Sequence, residues 1–291
     1  MISTFLQRLL GLYHLTMHHL LRHAPVASAS AIGGMLVRAN VRLNRPEIIA
    51  GARRNLTRHR PELNAQDIDA MIWRFLDNVG RHMGECSGLD QMIAQNRIET
   101  IGHEYLTALE GRNPVIALQL HTGNWEMFGP ALTHNGIRPA AFYEPPASPT
   151  QRRIIEEVRL RAGFTLLTPD TKGLRKAIGL LNANRMVSIG CDEAREGRLM
   201  APLFGRRPHD KGNLAIAAKL ARRTSANIVI GHCVRLEHCR FRLHISEPFT
   251  LPNPGGGLLE DVRFLNERIE PIILANLDQW YFLDDRIEEI A

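Results

Sequence analysis

Lysine is scarce in this chain, with Lys172, Lys176, Lys211 and Lys219 the only four in 291 residues, and aromatic residues make up 6%. So few aromatics leave little on which bases could stack, which argues against nucleic acid as a partner. The four cysteines, Cys86, Cys191, Cys233 and Cys239, have no C-x-x-C spacing and follow no export signal, so they read as reduced thiols. Carboxylates are almost missing from the first 60 residues, where Glu47 stands alone against nine arginines. No apolar run is long enough to cross a membrane, which takes about 20 mostly apolar residues. No G-x-S-x-G elbow is present to suggest a serine nucleophile.

What is present begins with that arginine excess. Lys+Arg total 36 against Asp+Glu 30, and the surplus sits at the N-terminal end, while Glu260, Asp261, Glu267, Glu270, Asp278, Asp284, Asp285, Glu288 and Glu289 crowd the other. A basic end of this kind suits an anionic membrane surface. Residues 5–21 place Phe5, Leu6, Leu9, Leu12, Tyr13, Met17 and Leu20 at near-helical spacing among arginine and histidine. Two readings are open: an amphipathic helix lying in the membrane interface, or a helix packed on the protein's own core.

Residues 31–95 read as helix broken at Pro46 and Pro61, with Asn64-x-x-Asp67 opening a segment from Ile68. Residues 115–120, V-I-A-L-Q-L, read as a strand buried on both faces of a parallel sheet. Strands are then expected at 139–143, 165–167 and 187–190, separated by helices at 150–161 and 174–181. The fold class is α/β: a mainly parallel central sheet flanked by helices, with an N-terminal helical arm (1–96) continuous with the α/β core (97–291). His232-Cys233 and His238-Cys239 look superficially like a zinc cluster, but they fall on two arms of a hairpin around Leu236 and lack a ligand-spacing signature.

The apolar run of the central strand ends on His121, five positions before Glu126, in H-T-G-N-W-E. Neither a strand nor a helix brings residues five apart together, because they lie on opposite faces of a strand and about 140° apart on a helix. A strand, a turn at Gly123 and a helix from Trp125 capped by Asn124 would let Glu126 fold back onto the imidazole. A histidine so held is a candidate general base. Asp192 falls at the end of a later strand, either as a simple cap or as a group that orients a substrate. Arg206, Arg207 and Lys211 follow in a loop that is either a phosphate contact or solvated.

The box H-T-G-N-W-E resembles the H-F-G-N-W-E box, an H-x-x-x-x-E motif, of the late lipid A acyltransferases. These are Kdo-dependent lauroyl and myristoyl transferases within the lysophospholipid acyltransferase superfamily. Further segments are similar in order: Arg53-Arg54-Asn55-Leu56 with Pro61-Glu62-Leu63, Asn78-Val79-Gly80-Arg81, Arg159-Leu160-Arg161, Asp192, Pro202-Leu203-Phe204-Gly205, Leu220-Ala221-Arg222-Arg223-Thr224 and Gln279-Trp280. Glu144, Glu193 and Asp284-Asp285-Arg286 depart from it, standing where the family has Arg, Gln and H-R-R.

The resemblance implies transfer of an acyl chain from an acyl carrier protein thioester, or from acyl-coenzyme A, to a hydroxyl of a lipid A-type glycolipid. It implies a catalytic pair of His121 and Glu126 and an anion clamp at Arg159. Asn124, Asp192, Arg206 and Arg207 are the candidate substrate contacts, and no cofactor or metal is expected. The expected location is peripheral, on the cytoplasmic face of the inner membrane. Two alternatives stand beside it: the same chemistry on another membrane lipid, such as a mannosylated phosphoinositide or an amino-lipid, and a non-catalytic membrane-surface paralogue.

Overall fold

The computed structural model describes residues 4–253 and 255–290. Its first four helices are α1 (Thr4–His23), α2 (Val26–Asn44), α3 (Pro46–His59) and α4 (Ala65–Glu85). Proline sets two of these boundaries. Pro25 precedes α2, and Pro46 opens α3, where its missing N–H goes unused. The Asn64 side chain caps α4 by accepting from the Asp67 N–H at 3.0 Å, the N-x-x-D start legible in the sequence.

After α5 (Leu89–Ala94) come β1 (Ile98–Ile101), α6 (His103–Leu109), β2 (Val115–Gln119), α7 (Phe128–His134), β3 (Ala140–Phe142), α8 (Pro149–Arg161), β4 (Thr165–Leu167), α9 (Thr171–Asn182) and β5 (Met186–Gly190). A small hairpin, β6 (Ala194–Arg195) and β7 (Arg198–Leu199), is followed by α10 (Gly212–Thr224), β8 (Asn227–Arg235), β9 (Phe241–Ile245) and α11 (Leu258–Ala275). Seven strands form one sheet in the order β1-β9-β8-β2-β5-β3-β4. Only the β8–β9 hairpin pairs antiparallel within it.

The central strand β2 is buried on both faces, as its unbroken apolar run requires. Ile116 and Leu118 pack into a cluster with residues of α3, α4, α9, α10 and α11, while Val115 and Ala117 face a second cluster with residues of α5, α6 and α7. The first cluster contains Ala52, Leu56, Ile72, Phe75 and Leu76, so the helical arm shares a core with the sheet.

Helices α2 and α4 cross with their backbones in contact. A Cβ on Gly80 would sit 2.4 Å from the Gly33 carbonyl oxygen, and one on Gly33 would sit 2.3 Å from that of Gly80. The glycine in N-V-G-R is there because a helix backbone occupies the place of a side chain. This face of α2 carries the buried Ser30, Gly34 and Val41; the opposite face leaves Ile32, Met35, Leu36 and Leu43 exposed, Leu43 at 77%.

Helix α1 packs against α8 and the turn at 86–88. His18 Nδ1 lies 2.8 Å from Ser87 Oγ, yet Leu9, Leu12, Tyr13 and Leu20 remain exposed. Phe5, Leu6 and Arg8, counted in the sequence pattern, fall outside the residues whose side chains are described. Among the described residues no helix is long and apolar enough to cross a membrane.

Candidate active site

His121 and Asp192 lie just beyond the carboxyl ends of β2 and β5, which pair directly through Gln119 and Gly190. Ligand sites of open parallel sheets collect at such ends. The Asp192 carboxylate is fully buried and accepts three hydrogen bonds: from His121 Nδ1 at 2.8 Å, from the His121 backbone N–H at 2.8 Å and from Trp280 Nε1 at 2.9 Å. Because the Asp192 carboxylate accepts from Nδ1–H, the lone pair of a neutral His121 is on Nε2. Nε2 has no hydrogen-bond partner among the described residues. A Cβ on Gly190 would meet the ring at 2.7 Å, so glycine there makes room for the imidazole.

Glu126 does not fold back onto His121. Its carboxylate binds Arg159 bidentately, with Arg159 Nε to Oε2 at 3.0 Å and a terminal guanidinium nitrogen to Oε1 at 2.5 Å. The expected orienting role at Nδ1 is taken by Asp192, and Arg159 is no free anion clamp, because its planar fork matches the nearby carboxylate. The local path also differs from a strand, turn and helix. Trp125–Met127 form a single 3₁₀ turn, α7 starts only at Phe128, and Asn124 makes no side-chain cap.

Asn124 is instead fully buried. Its Nδ2 donates to Glu85 Oε2 at 2.8 Å, and its Oδ1 lies 3.1 Å from His82 Nδ1. Both ends of its amide are thus held by protein side chains, and its burial keeps it from the surface. Arg206 is likewise buried, donating to the carbonyls of Leu199, Pro202, Leu203 and Glu288, so it braces the loop rather than meeting phosphate. Arg207 is exposed.

Two histidines flank Trp125 with opposite electrostatics. His82 stacks on its indole with centroids 3.6 Å apart, and burial drives the His82 pKa down to about 4. His121 meets the Trp125 ring edge to face at 5.3 Å and Phe282 at 5.2 Å. Burial pulls the His121 pKa down as well, but the charge and hydrogen bond of Asp192, with Glu126 adding to them, outweigh it and leave the pKa raised. Burial would raise the Glu126 pKa, yet the Arg159 guanidinium holds it below the ordinary value.

Several partners had little signal in the sequence. Glu85 and Arg235 form a buried ion pair behind Asn124. Tyr143, at the end of β3, lies under the Arg159 guanidinium at 5.0 Å, with a buried hydroxyl that has no hydrogen-bond partner among the described residues. A cavity of about 270 Å³ is lined by Cys86, Leu89, Ile93, Pro130, Val158 and Ala162 among others.

The model of the bacterial lipid A biosynthesis acyltransferase family matches residues 4–288. The chain belongs to that family. It is an acyltransferase of the lipid A type, and the residues just described are the candidates for its chemistry. No curated protein matches the chain. Among solved structures, the 1-acyl-sn-glycerophosphate (LPA) acyltransferase PlsC from Thermotoga maritima aligns with 72% of this chain and 87% of its own. The two are 13% identical with a TM-score of 0.39, a likeness too loose to bear on the site.

Proposed function

We propose that this acyltransferase moves a fatty acyl chain from an acyl carrier protein thioester to a hydroxyl of a lipid A-type glycolipid, with His121 as general base. The observation that carries the reading is the His121–Asp192 pair, which holds the proton on Nδ1 and leaves Nε2 open. Nε2 takes the proton of the acceptor hydroxyl as its oxygen attacks the thioester carbonyl. The tetrahedral intermediate then collapses, the C–S bond breaks, and the leaving thiolate takes the proton back from Nε2. Asp192 stabilises the imidazolium that exists between the two transfers.

Glu126 serves this centre as a charge. Neutralised in part by Arg159, it still favours the protonated imidazole and holds Arg159 against Tyr143. The Tyr143 hydroxyl, a donor without a partner among the described residues, is suited to an oxygen of the substrate. The apolar cavity beside Cys86 is the candidate seat for the acyl chain.

The enzyme works peripherally on the cytoplasmic face of the inner membrane. Support comes from the apolar side chains that α1 and α2 expose, set in a stretch, 1–46, without a single carboxylate.

The test is mass spectrometry of acceptor lipids incubated with purified protein and acyl carrier protein thioesters. The mass gained by the lipid gives the acyl chain, and the parent gives the acceptor. His121→Ala should lower transfer by at least about 10²-fold, the contribution of a general base. Full activity in that variant, or wild-type protein that acylates no glycolipid with any thioester, would overturn the reading.

A further inference from the structure

Between His121 and Glu126 the chain is gripped by side chains that contact neither residue. The centre of this grip is the ion pair of Glu85, the last residue of α4, with Arg235, the last residue of β8. Glu85 is fully buried and Arg235 only 9% exposed. The guanidinium binds the carboxylate bidentately at 2.6 and 2.9 Å. Glu85 also accepts from Ser30 Oγ at 2.7 Å and from Asn124 Nδ2 at 2.8 Å. Arg235 Nε donates to Asn78 Oδ1 at 2.8 Å, and Asn78 Nδ2 in turn donates to the Gly123 carbonyl at 3.2 Å. The two ends of the pair thus lead to neighbouring residues in the middle of H-T-G-N-W-E, Glu85 to Asn124 directly and Arg235 to Gly123 through Asn78.

We propose that the buried Glu85–Arg235 pair is a positioning device for the His121–Glu126 segment, acting through Asn124 and Asn78. Its contribution to net stability is small in principle, because desolvating two charges offsets most of their attraction. What it supplies is direction. A carboxylate and a guanidinium in a fixed fork offer hydrogen bonds at only a few angles, and the amides of Asn124 and Asn78 take those angles. Gly123, at a φ of 58° with Cys233 O 2.5 Å from where its Cβ would lie, has room for no side chain in this turn. The inference rests on the proposed role of His121, since a positioned turn matters to rate only if that residue does the chemistry.

The informative variant is the double replacement Glu85→Leu with Arg235→Met, which removes both charges together and leaves no buried ion unpaired. It should melt within a few degrees of the wild type. The kcat should fall at least about tenfold, since a shift of about 1 Å at a reacting group is enough for a loss of about 10²-fold. KM should stay within about twofold, and the midpoint of the pH–rate profile should not move, because the His121–Asp192 bond is intact. Backbone amides at 122–126 should exchange with solvent at least about tenfold faster, while those of β2 keep their protection.

A stable double variant with wild-type kcat and unchanged exchange at 122–126 would overturn the proposal. Should the double variant fail to fold, Asn124→Ala cuts the same link from the other end, and full kcat in that variant would equally refute it. The exchange measurement needs no substrate. Wild-type protein that acylates nothing, together with faster exchange in the double variant, would therefore sink the reading of His121 and leave the positioning intact.

Discussion

At His121 three influences compete, and their order has a consequence for rate. Burial favours the neutral ring, but Asp192 first and Glu126 second favour the charged one, and the net pKa lies above the ordinary 6.5. A base must be neutral to act, so kcat/KM should rise with pH through a midpoint above 6.5. Asp192→Asn removes the larger of the two favourable charges. Its acid limb should move to lower pH while kcat falls by about 10²- to 10⁴-fold. A midpoint unchanged in Asp192→Asn would mean that another group titrates. The same shift bears on stability. A His whose folded pKa is raised stabilises the fold fully below its unfolded pKa, and that contribution disappears as pH rises through the folded value.

Helix α2 has two apolar faces for two different reasons. One faces α4 at glycines, and there the helices touch backbone to backbone. Gly80→Ala would drive a methyl group to 2.4 Å from the Gly33 carbonyl, and neither helix backbone can turn aside as a side chain could. The variant should lose about 1–3 kcal/mol, the usual range for overpacking, read as a drop in melting temperature. A Gly80→Ala protein as stable as the wild type would mean that the crossing is looser than described. The other face leaves Ile32, Met35, Leu36 and Leu43 largely exposed, which packing within the described residues does not explain.

For the molecule as a whole, that outer face, the exposed residues of α1 and the arginine excess all belong to the N-terminal helices, the part proposed above to meet the membrane. Arg38 and Arg42 border a cavity with Trp73 and Leu43, which brings cation, indole and aliphatic chain together, the combination that suits a membrane interface. The protein should bind vesicles containing phosphatidylglycerol, prefer them to phosphatidylcholine and be released by salt, which screens exposed charges beyond about 10 Å at 0.1 M. Leu36→Asp with Leu43→Asp should weaken vesicle binding at least about tenfold, since each leucine buried in lipid is worth about 1.5–3 kcal/mol. Binding that survives both substitutions and high salt would place the contact elsewhere. Release by salt in the double variant but not in the wild type would show that the apolar stripe dominates.

Much of this protein is determined by local sequence. The apolar run at 115–120 had to be a strand covered on both faces, Asn64-x-x-Asp67 had to start a helix, and Pro46 had to begin another. The alternation of short strands and helices after it required a mainly parallel sheet, with His121 at its carboxyl edge. These outcomes depend on periodicity, caps and proline geometry, which act over a few residues. The partners of the candidate catalytic groups were decided at longer range. Asp192 stands 71 positions from His121 and wins its Nδ1 because β5 lies beside β2 in the sheet, whereas Glu126, only five positions away, is turned toward Arg159. Asn124 and Arg206 look like substrate contacts in a linear motif, but the fold buries both against Glu85 and a ring of carbonyls. A hydrogen bond goes to whichever group the packing brings within 3 Å, and sequence spacing sets that distance only inside a single turn or helix.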